Sequence, residues 1–169
     1  MASEKISPVV VVIGSDSDMD VMHCCIEQLR DFAIVPIVRV ISAHRTPDVA
    51  ADFAQTAAEK GIKVIIAAAG MAAHLAGALA ARTTLPVIAV PLSSQGGLAG
   101  FDALLSTVQM PAGVPVATMA IGKAGAKNAA VLAVQILALS DESLQNKLVQ
   151  FKKSLEQKVL EKDSAIQSI

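Results

Sequence analysis

The sequence predicts an α/β fold in which helices cover both faces of a central parallel β-sheet. Two features of the 169 residues support this prediction. Short apolar runs rich in β-branched residues alternate with segments of helical periodicity, which is the pattern of repeated βαβ units. Most of these runs are also apolar at successive positions, which is typical of strands buried on both faces.

Five apolar runs are the candidate strands, and each is followed by a candidate helix. The predicted strands are Val9–Ile13, Ile34–Val40, Val64–Ala68, Val87–Val90 and Val116–Ile121. The predicted helices are Asp18–Asp31, Pro47–Lys60, Ala73–Ala81, Ala99–Val108 and Ala126–Leu139. Because the sequence contains no linker and no internal repeat, residues 1–169 are expected to form a single domain with its core in residues 8–140.

The tail, residues 141–163, is a charged amphipathic segment with no strand after it. Its apolar side chains recur mainly in steps of three and four, which predicts one long helix with a single apolar face. These side chains are Leu144, Leu148, Phe151, Leu155, Val159 and Leu160. Two interpretations remain open: the helix caps its own domain, or it is an arm that packs on a neighbouring subunit.

Composition excludes several classes of function. The net charge is −1 and both Trp and Tyr are absent, so we expect no nucleic-acid partner. Residues 1–8 are polar and carry Glu4 and Lys5, unlike a signal peptide, which favours a cytoplasmic location. Cys24 and Cys25 are adjacent and lack the spacing of a redox or zinc site.

Hydrophobic residues make up 53% of the chain, and residues 64–81 carry no charge. That stretch is not a membrane span, because Gly70 and His74 interrupt it and weakly apolar Ala dominates the rest. We therefore expect no membrane partner. The surplus of Ala and Gly favours close packing of helices across subunits, so the sequence predicts a homo-oligomer.

The loop after the first strand is a candidate ligand site, because ligands of open α/β sheets bind beyond the carboxyl ends of the strands. Gly14 permits a tight turn, and Ser15 and Ser17 can bind a phosphate near the start of the next helix. Asp18 suits a ribose diol, since a carboxylate accepts two hydroxyl protons. The alternative is that Ser or Asp simply caps the helix.

The acidic residues of the same loop are compatible in spacing with two kinds of metal site, and neither is expected. Asp16, Asp18, Asp20 and Glu27 follow the spacing of a calcium-binding loop, but Val21 replaces its glycine and the region is predicted to be helical. A phosphatase-type magnesium site is disfavoured because a Gly-Ser pair separates the acidic residues from the strand. The sequence thus predicts neither a metal nor a cofactor.

The loop after the second strand contains Ser42, His44 and Arg45, followed by the helix start Thr46-Pro47. Arg45 can bind a phosphate with its forked guanidinium, and His44 can exchange protons near neutral pH. The alternative is an ordinary surface loop with two polar residues.

The loop after the third strand, residues 70–75, offers small residues and backbone N–H groups that could accommodate a flat ring. His74 in this loop, taken alone, would more often be structural than catalytic, and His23 is interpreted as structural because it lies within a helix. The stretch Ser93–Gly100 is either a mobile cover over the site or a long turn.

Five motifs occur in the same order as in one protein family. They are Gly14-Ser15-Asp16-Ser17-Asp18, Ser42-Ala43-His44-Arg45-Thr46-Pro47, Ala72-Ala73-His74-Leu75, Val108-Gln109-Met110-Pro111 and Ile121-Gly122-Lys123-Ala124-Gly125. Over about residues 8–160 the chain resembles class I N5-carboxyaminoimidazole ribonucleotide mutases, the catalytic subunits of the bacterial phosphoribosylaminoimidazole carboxylase system. The chain departs from the family pattern at Met71, where Gly is usual, and at Ala76, where Pro is usual.

The resemblance implies a flavodoxin-like three-layer sandwich with an extended C-terminal helix that reaches neighbouring subunits, and octamers with sites at subunit junctions. It implies an isomerase of purine biosynthesis that moves the carboxylate of N5-carboxyaminoimidazole ribonucleotide to C4 of the imidazole. Ser15, Ser17, Ser42 and Arg45 would hold the phosphate, Asp18 the ribose, and Gly70, His74 and Leu75 would shape the pocket for the base and CO2. His44 would move the protons.

The corresponding mechanism is loss of CO2 from the carbamate, retention of the gas in a small dry pocket, and attack on it by C4, with His44 giving and taking the proton. A class II enzyme, which joins CO2 directly to aminoimidazole ribonucleotide, is the closest alternative. Class II tends to carry Lys at the position of Arg45 and lacks the run around His74. A non-catalytic nucleotide-binding module and a receiver domain are the remaining alternatives.

Overall fold

A computed structural model of the protein describes residues 7–167 and confirms the predicted α/β fold. Its centre is a five-stranded parallel sheet in the order β2-β1-β3-β4-β5, which is the flavodoxin-like strand order. The strands are β1 (Val9–Ile13), β2 (Ile37–Val40), β3 (Val64–Gly70), β4 (Val87–Leu92) and β5 (Ala117–Thr118).

A helix follows each strand, and one further helix ends the chain. The helices are α1 (Met19–Asp31), α2 (Pro47–Thr56), α3 (Leu75–Ala80), α4 (Phe101–Val108), α5 (Lys123–Ala138) and α6 (Glu142–Gln167), with a short 3-10 helix at Asp16–Asp18 before α1. Within residues 7–167, none of these helices combines the length and the apolar character needed to cross a membrane.

The edge strands are shorter than the sequence predicts. β2 begins at Ile37 rather than Ile34, because the chain first closes helix α1: Ala33 has a φ of 62°, and the N–H of Ile34 donates to the carbonyl of Leu29 at 3.0 Å. β5 is regular only at Ala117–Thr118, although the N–H groups of Met119 and Gly122 still donate to β4 at 2.9 Å. Edge strands have one partner, so turns at their ends shorten them readily.

The central strands are buried on both faces. Val10 and Val12 of β1 pack in one cluster with Ile65 and Ala67 of β3 and with apolar residues of α2 and α3. Since side chains alternate along a strand, the buried Val9, Val11 and Ile13 lie on the opposite face. This double burial explains the continuous apolar runs in the sequence.

The chain divides into two compact units, Met1–Ala133 and Val134–Ile169, with α5 crossing the division. In the second unit, Asp141 caps α6 by accepting a hydrogen bond from the N–H of Leu144 at 3.1 Å, so the helix begins one residue later than expected. Of the α6 residues, Leu144 is the one classed as buried. The single domain stays a prediction, and both interpretations of the tail remain open.

Candidate active site

A cavity of about 820 Å³ lies at the carboxyl ends of the strands, where the loops after β1, β2 and β3 meet the start of the loop after β4. Its volume falls within the roughly 300–1,000 Å³ of small-molecule sites. All nine site residues predicted from the sequence line it: Ser15, Ser17, Asp18, Ser42, His44, Arg45, Gly70, His74 and Leu75. The structure thus brings the predicted residues together, while their individual roles stay predictions.

The loop after β1 is ordered by its own polar side chains. The N–H of Ser15 donates to Oδ2 of Asp18 at 3.0 Å, and the Ser15 hydroxyl donates to Oδ1 of Asp16, also at 3.0 Å. The Ser17 hydroxyl donates to the Ser15 hydroxyl at 3.0 Å. The Ser15–Asp18 bond belongs to a capping box, whereas neither side chain makes a simple N-cap hydrogen bond to the helix, and the bonds also gather two hydroxyls at the cavity wall.

Asp18 is half-buried at this wall, and its environment changes its acidity. Burial raises the pKa of Asp18 above its ordinary value of 3.8, and the nearby charge of Asp16 raises it further. Hydrogen bonds to the backbone of Ser15 and Gly14, and the positive charge of Arg45, act in the opposite direction without reversing the shift. The carboxylate therefore becomes protonated at a higher pH than an exposed aspartate would.

Arg45 joins the first loop to the second. Its guanidinium donates from Nη2 to the carbonyl of Gly14 at 3.2 Å and from Nε to the hydroxyl of Ser42 at 3.4 Å. Ser42 is itself fixed by Thr46, whose hydroxyl accepts from the Ser42 N–H at 3.0 Å. Because the guanidinium stays exposed beside the serine hydroxyls of the first loop, the wall can bind an anion with several donors.

His44 joins the second loop to the third. Its Nε2 lies 2.9 Å from Nδ1 of His74, and the two rings are T-shaped with centroids 5.0 Å apart. A hydrogen bond between these nitrogens requires that one of them carries the proton. The sequence interpretation that a lone His74 is structural missed this pairing, because the pairing depends on the two loops meeting in space. His23, by contrast, lies on α1, where its Nε2 is 3.4 Å from Oε1 of Glu27, and it does not line the cavity.

Met71, in the third loop, has a left-handed backbone with a φ of 53°. Its side chain lines the cavity and is 53% exposed, so core packing does not hold it in this conformation. A non-glycine residue at positive φ is strained, whereas glycine adopts this conformation without strain. This agrees with glycine being the usual residue here in the family that the sequence resembles. Ala76, the second departure, is buried in α3.

The sequence offered the stretch Ser93–Gly100 as a cover over the site or a long turn, but it named none of these residues as a site residue. Ser93, Ser94 and Gln95 also line the cavity. A Cβ atom at Gly70 would overlap the Ser94 hydroxyl, so glycine at position 70 is what allows the two loops to meet. The rule that placed the other site residues after strand ends also applies to these three.

Among residues 7–167, His, Cys, Asp and Glu side chains form no group of three or more that could hold a metal ion. Asp16, Asp20 and Glu27, which share the spacing of a calcium loop, are distributed over the 3-10 helix and α1 rather than around a common centre.

Known proteins resemble the chain along most of its length. A family model described as AIR carboxylase matches residues 8–158. A Bacillus subtilis protein named N5-carboxyaminoimidazole ribonucleotide mutase is 54% identical over 151 residues, or 89% of this chain and 93% of that protein. An Escherichia coli protein of the same name is 50% identical over 90% of each chain. The crystal structure of Treponema denticola PurE superposes with a TM-score of 0.82 and 30% identity, over 92% of this chain and 96% of that one.

The strain at Met71 gives a prediction about stability. Met71→Gly should raise the free energy of unfolding by up to about 1 kcal/mol relative to Met71→Ala, because both variants lose the exposed side chain but only glycine relieves the positive φ. Urea unfolding of the two variants and the parent protein measures this difference. A glycine variant that is less stable than the alanine variant by ~0.4–1 kcal/mol, the usual entropic cost of glycine, would show that position 71 carries no strain.

Proposed function

The chain belongs to the AIR carboxylase family, and from this premise we propose that it is an N5-carboxyaminoimidazole ribonucleotide mutase, an isomerase of purine biosynthesis. Relatives of that name share about half of their residues with it over nine-tenths of the chain. The observation that carries the proposal is the cavity itself, in which an anion-binding wall stands beside a pair of histidines. Nucleotide binding and proton transfer are thereby available at one place.

The phosphate of the nucleotide is proposed to bind at the wall formed by the first two loops. Ser15, Ser17 and Ser42 supply hydroxyls there, and Arg45 supplies a guanidinium that already bridges the two loops. Charge-assisted hydrogen bonds to an anion are about twice as strong as neutral ones. Asp18, next to this wall, is proposed to accept hydrogen bonds from the ribose hydroxyls.

The base is proposed to lie toward the third loop. Gly70, His74 and Leu75 line that side of the cavity together with small apolar side chains, among them Ala69 and Ala72. Small apolar residues favour a neutral gas such as CO2 over water. A CO2 molecule held there need not be recaptured from solution, which removes the entropic cost of a second encounter.

His44 is proposed to carry the proton in both halves of the reaction. The N–C bond of the carbamate breaks, CO2 leaves, and His44 gives a proton to the exocyclic nitrogen. The C4 carbon of the imidazole then attacks CO2, a C–C bond forms, and His44 takes the proton that C4 loses. Atoms and charge balance because the same proton equivalent is returned, so the step invokes no cofactor and no metal. His74, bonded to His44 at 2.9 Å, holds the ring in place.

A cytoplasmic homo-oligomer, an octamer by resemblance, is the proposed form of the protein. An exposed apolar stripe along α4 and the turn before it supports association. Its side chains recur in steps of three and four and are Leu98, Phe101, Leu105 and Val108. Phe101 is 61% exposed. A contiguous apolar surface of this kind is typical of an interaction site.

A paired assay tests the function, and His44→Asn tests its mechanism. Without ATP or metal, the protein should form the C4-carboxylated nucleotide rapidly from N5-carboxyaminoimidazole ribonucleotide, but not from aminoimidazole ribonucleotide with bicarbonate. His44→Asn should retain nucleotide binding and lose at least ~10²-fold in turnover, the usual scale of acid–base catalysis.

The matched control for that variant is His23→Asn, because His23 lies on the surface of α1 and does not line the cavity. It should leave turnover unchanged. Rapid product from aminoimidazole ribonucleotide and bicarbonate alone would instead identify a direct carboxylase, and near-normal turnover of His44→Asn would exclude His44 as the proton carrier.

The raised pKa of Asp18 predicts the pH dependence of binding. A carboxylate accepts hydrogen bonds from a ribose diol, and protonation removes part of that capacity. Since the pKa lies above 3.8, affinity for aminoimidazole ribonucleotide should begin to fall, as pH is lowered, while an ordinary aspartate is still ionised. Isothermal titration of the parent and Asp18→Asn over a pH series measures the effect.

In that comparison, protonation of the nucleotide phosphate affects both proteins equally, so their ratio isolates Asp18. Asp18→Asn should bind aminoimidazole ribonucleotide more weakly than the parent at neutral pH. It should also lack the part of the pH-dependent loss of affinity that comes from protonation of Asp18. Parallel pH profiles would refute the assignment of Asp18 to the ribose.

The molar mass of the protein in solution tests the proposed octamer. Light scattering after size exclusion should give eight chains of 17.4 kDa. The double variant Phe101→Glu, Leu105→Glu should lower the mass, because two charges would be buried in an apolar contact. A parent protein that elutes as a single chain would refute the proposal.

A further inference from the structure

The loop after β4 carries a polar group whose role neither the sequence motifs nor the proposed mechanism explains. Gly70 at the end of β3 pairs in register with Leu92 of β4, so Ser94 lies immediately beyond the paired ends of these two strands. Ser94 is half-buried and lines the cavity on the side where the base is proposed to lie.

The Ser94 hydroxyl fills the space that a side chain at position 70 would need. A Cβ on Gly70 would overlap that hydroxyl and would stand 3.1 Å from the Ser94 Cβ and 3.2 Å from the Leu92 carbonyl. Within the described residues the hydroxyl makes no hydrogen bond, whereas the Ser94 carbonyl accepts one from the N–H of Gly97 at 3.0 Å. The donor and the acceptor lone pairs of this hydroxyl are therefore not used by the fold and are available at the cavity.

Asp102, in the first turn of α4, lies against the same turn. A Cβ at Gly97 would be 2.9 Å from Oδ2 of Asp102, so the carboxylate and the turn are in close contact. Oδ1 of Asp102 is buried and has no hydrogen-bond partner among the described residues. An unpaired buried acceptor destabilises a fold, and the favourable position of a carboxylate in the first turn of α4 offsets this cost only in part.

From these contacts we propose that Ser94 binds the migrating carboxylate of the nucleotide through its hydroxyl, and that Asp102 positions the Ser94–Gly97 turn for this contact. The inference rests on the proposed function and adds to it a residue that distinguishes the carboxylated nucleotide from the uncarboxylated one. Asp102 touches no substrate and acts through the turn.

Equilibrium binding of two nucleotides tests the proposal independently of turnover. Ser94→Ala should weaken binding of 4-carboxy-5-aminoimidazole ribonucleotide by about tenfold or more, which is the scale of a hydrogen bond to a charged group. Its affinity for aminoimidazole ribonucleotide, which lacks the carboxylate, should stay within about twofold of the parent. General damage to the loop would weaken both nucleotides alike.

Asp102→Ala should reproduce the selective loss while changing thermal stability little, because it removes both an unpaired buried oxygen and the favourable interaction of a carboxylate with the start of α4. The double variant Ser94→Ala, Asp102→Ala should lose no more affinity for the carboxylated nucleotide than Ser94→Ala alone. A residue that acts through Ser94 has no further effect once the Ser94 hydroxyl is removed. Ser106→Ala is the matched control: its hydroxyl bonds within α4 to the Asp102 carbonyl at 2.7 Å, it does not line the cavity, and it should bind both nucleotides like the parent.

Equal weakening of both nucleotides, or no weakening of either, would overturn the role of Ser94. Additive losses in the double variant would overturn the role of Asp102. If the parent protein binds both nucleotides but catalyses no conversion, the proposed mutase function fails while the binding comparison still decides the role of Ser94.

Discussion

The hydrogen-bonded register of β1, β3 and β4 is the constraint on which the cavity depends. Ile13 pairs with Ala68, and Gly70 pairs with Leu92, so the three strands end at nearly the same level. Because the strands are parallel and buried on both faces, they cannot slip without moving apolar side chains out of the core. The loops that follow them therefore start from fixed positions, and a polar site can be built on short, otherwise exposed segments.

Contacts between the loops fix their positions relative to one another. Arg45 donates to the carbonyl of Gly14, His44 bonds to His74, and Ser94 lies over Gly70, so each contact ties one loop to its neighbour. Exposed polar contacts contribute little to the stability of the fold individually. These contacts fix positions, since hydrogen-bond donors, acceptors and two histidine rings already face one cavity before a ligand arrives.

Several features in the cavity wall, or next to it, are unfavourable for folding alone. Met71 holds a positive φ without core packing, burial raises the pKa of Asp18, and one oxygen of Asp102 is buried without a partner. Elsewhere in the described chain most local rules are obeyed, with apolar strands, a proline at the start of α2 and an aspartate capping α6, although Ala33 after α1 and Ala99 before α4 also have a positive φ. Departures from local preference that gather at one place are typical of a functional site.

The sequence by itself determined the α/β class and the central strands, because buried strands are apolar throughout. It also indicated nine of the residues that line the cavity, because ligands bind after strand ends and because its motifs resemble those of a known family. It also placed Met71 as a departure in the third loop. Tertiary structure alone decided that His74 bonds to His44, thirty residues away, and that Ser94 meets Gly70. It likewise decided how short β2 and β5 are. Local periodicity specifies elements, whereas these contacts depend on which strands lie side by side, and that order arises only when the whole sheet assembles.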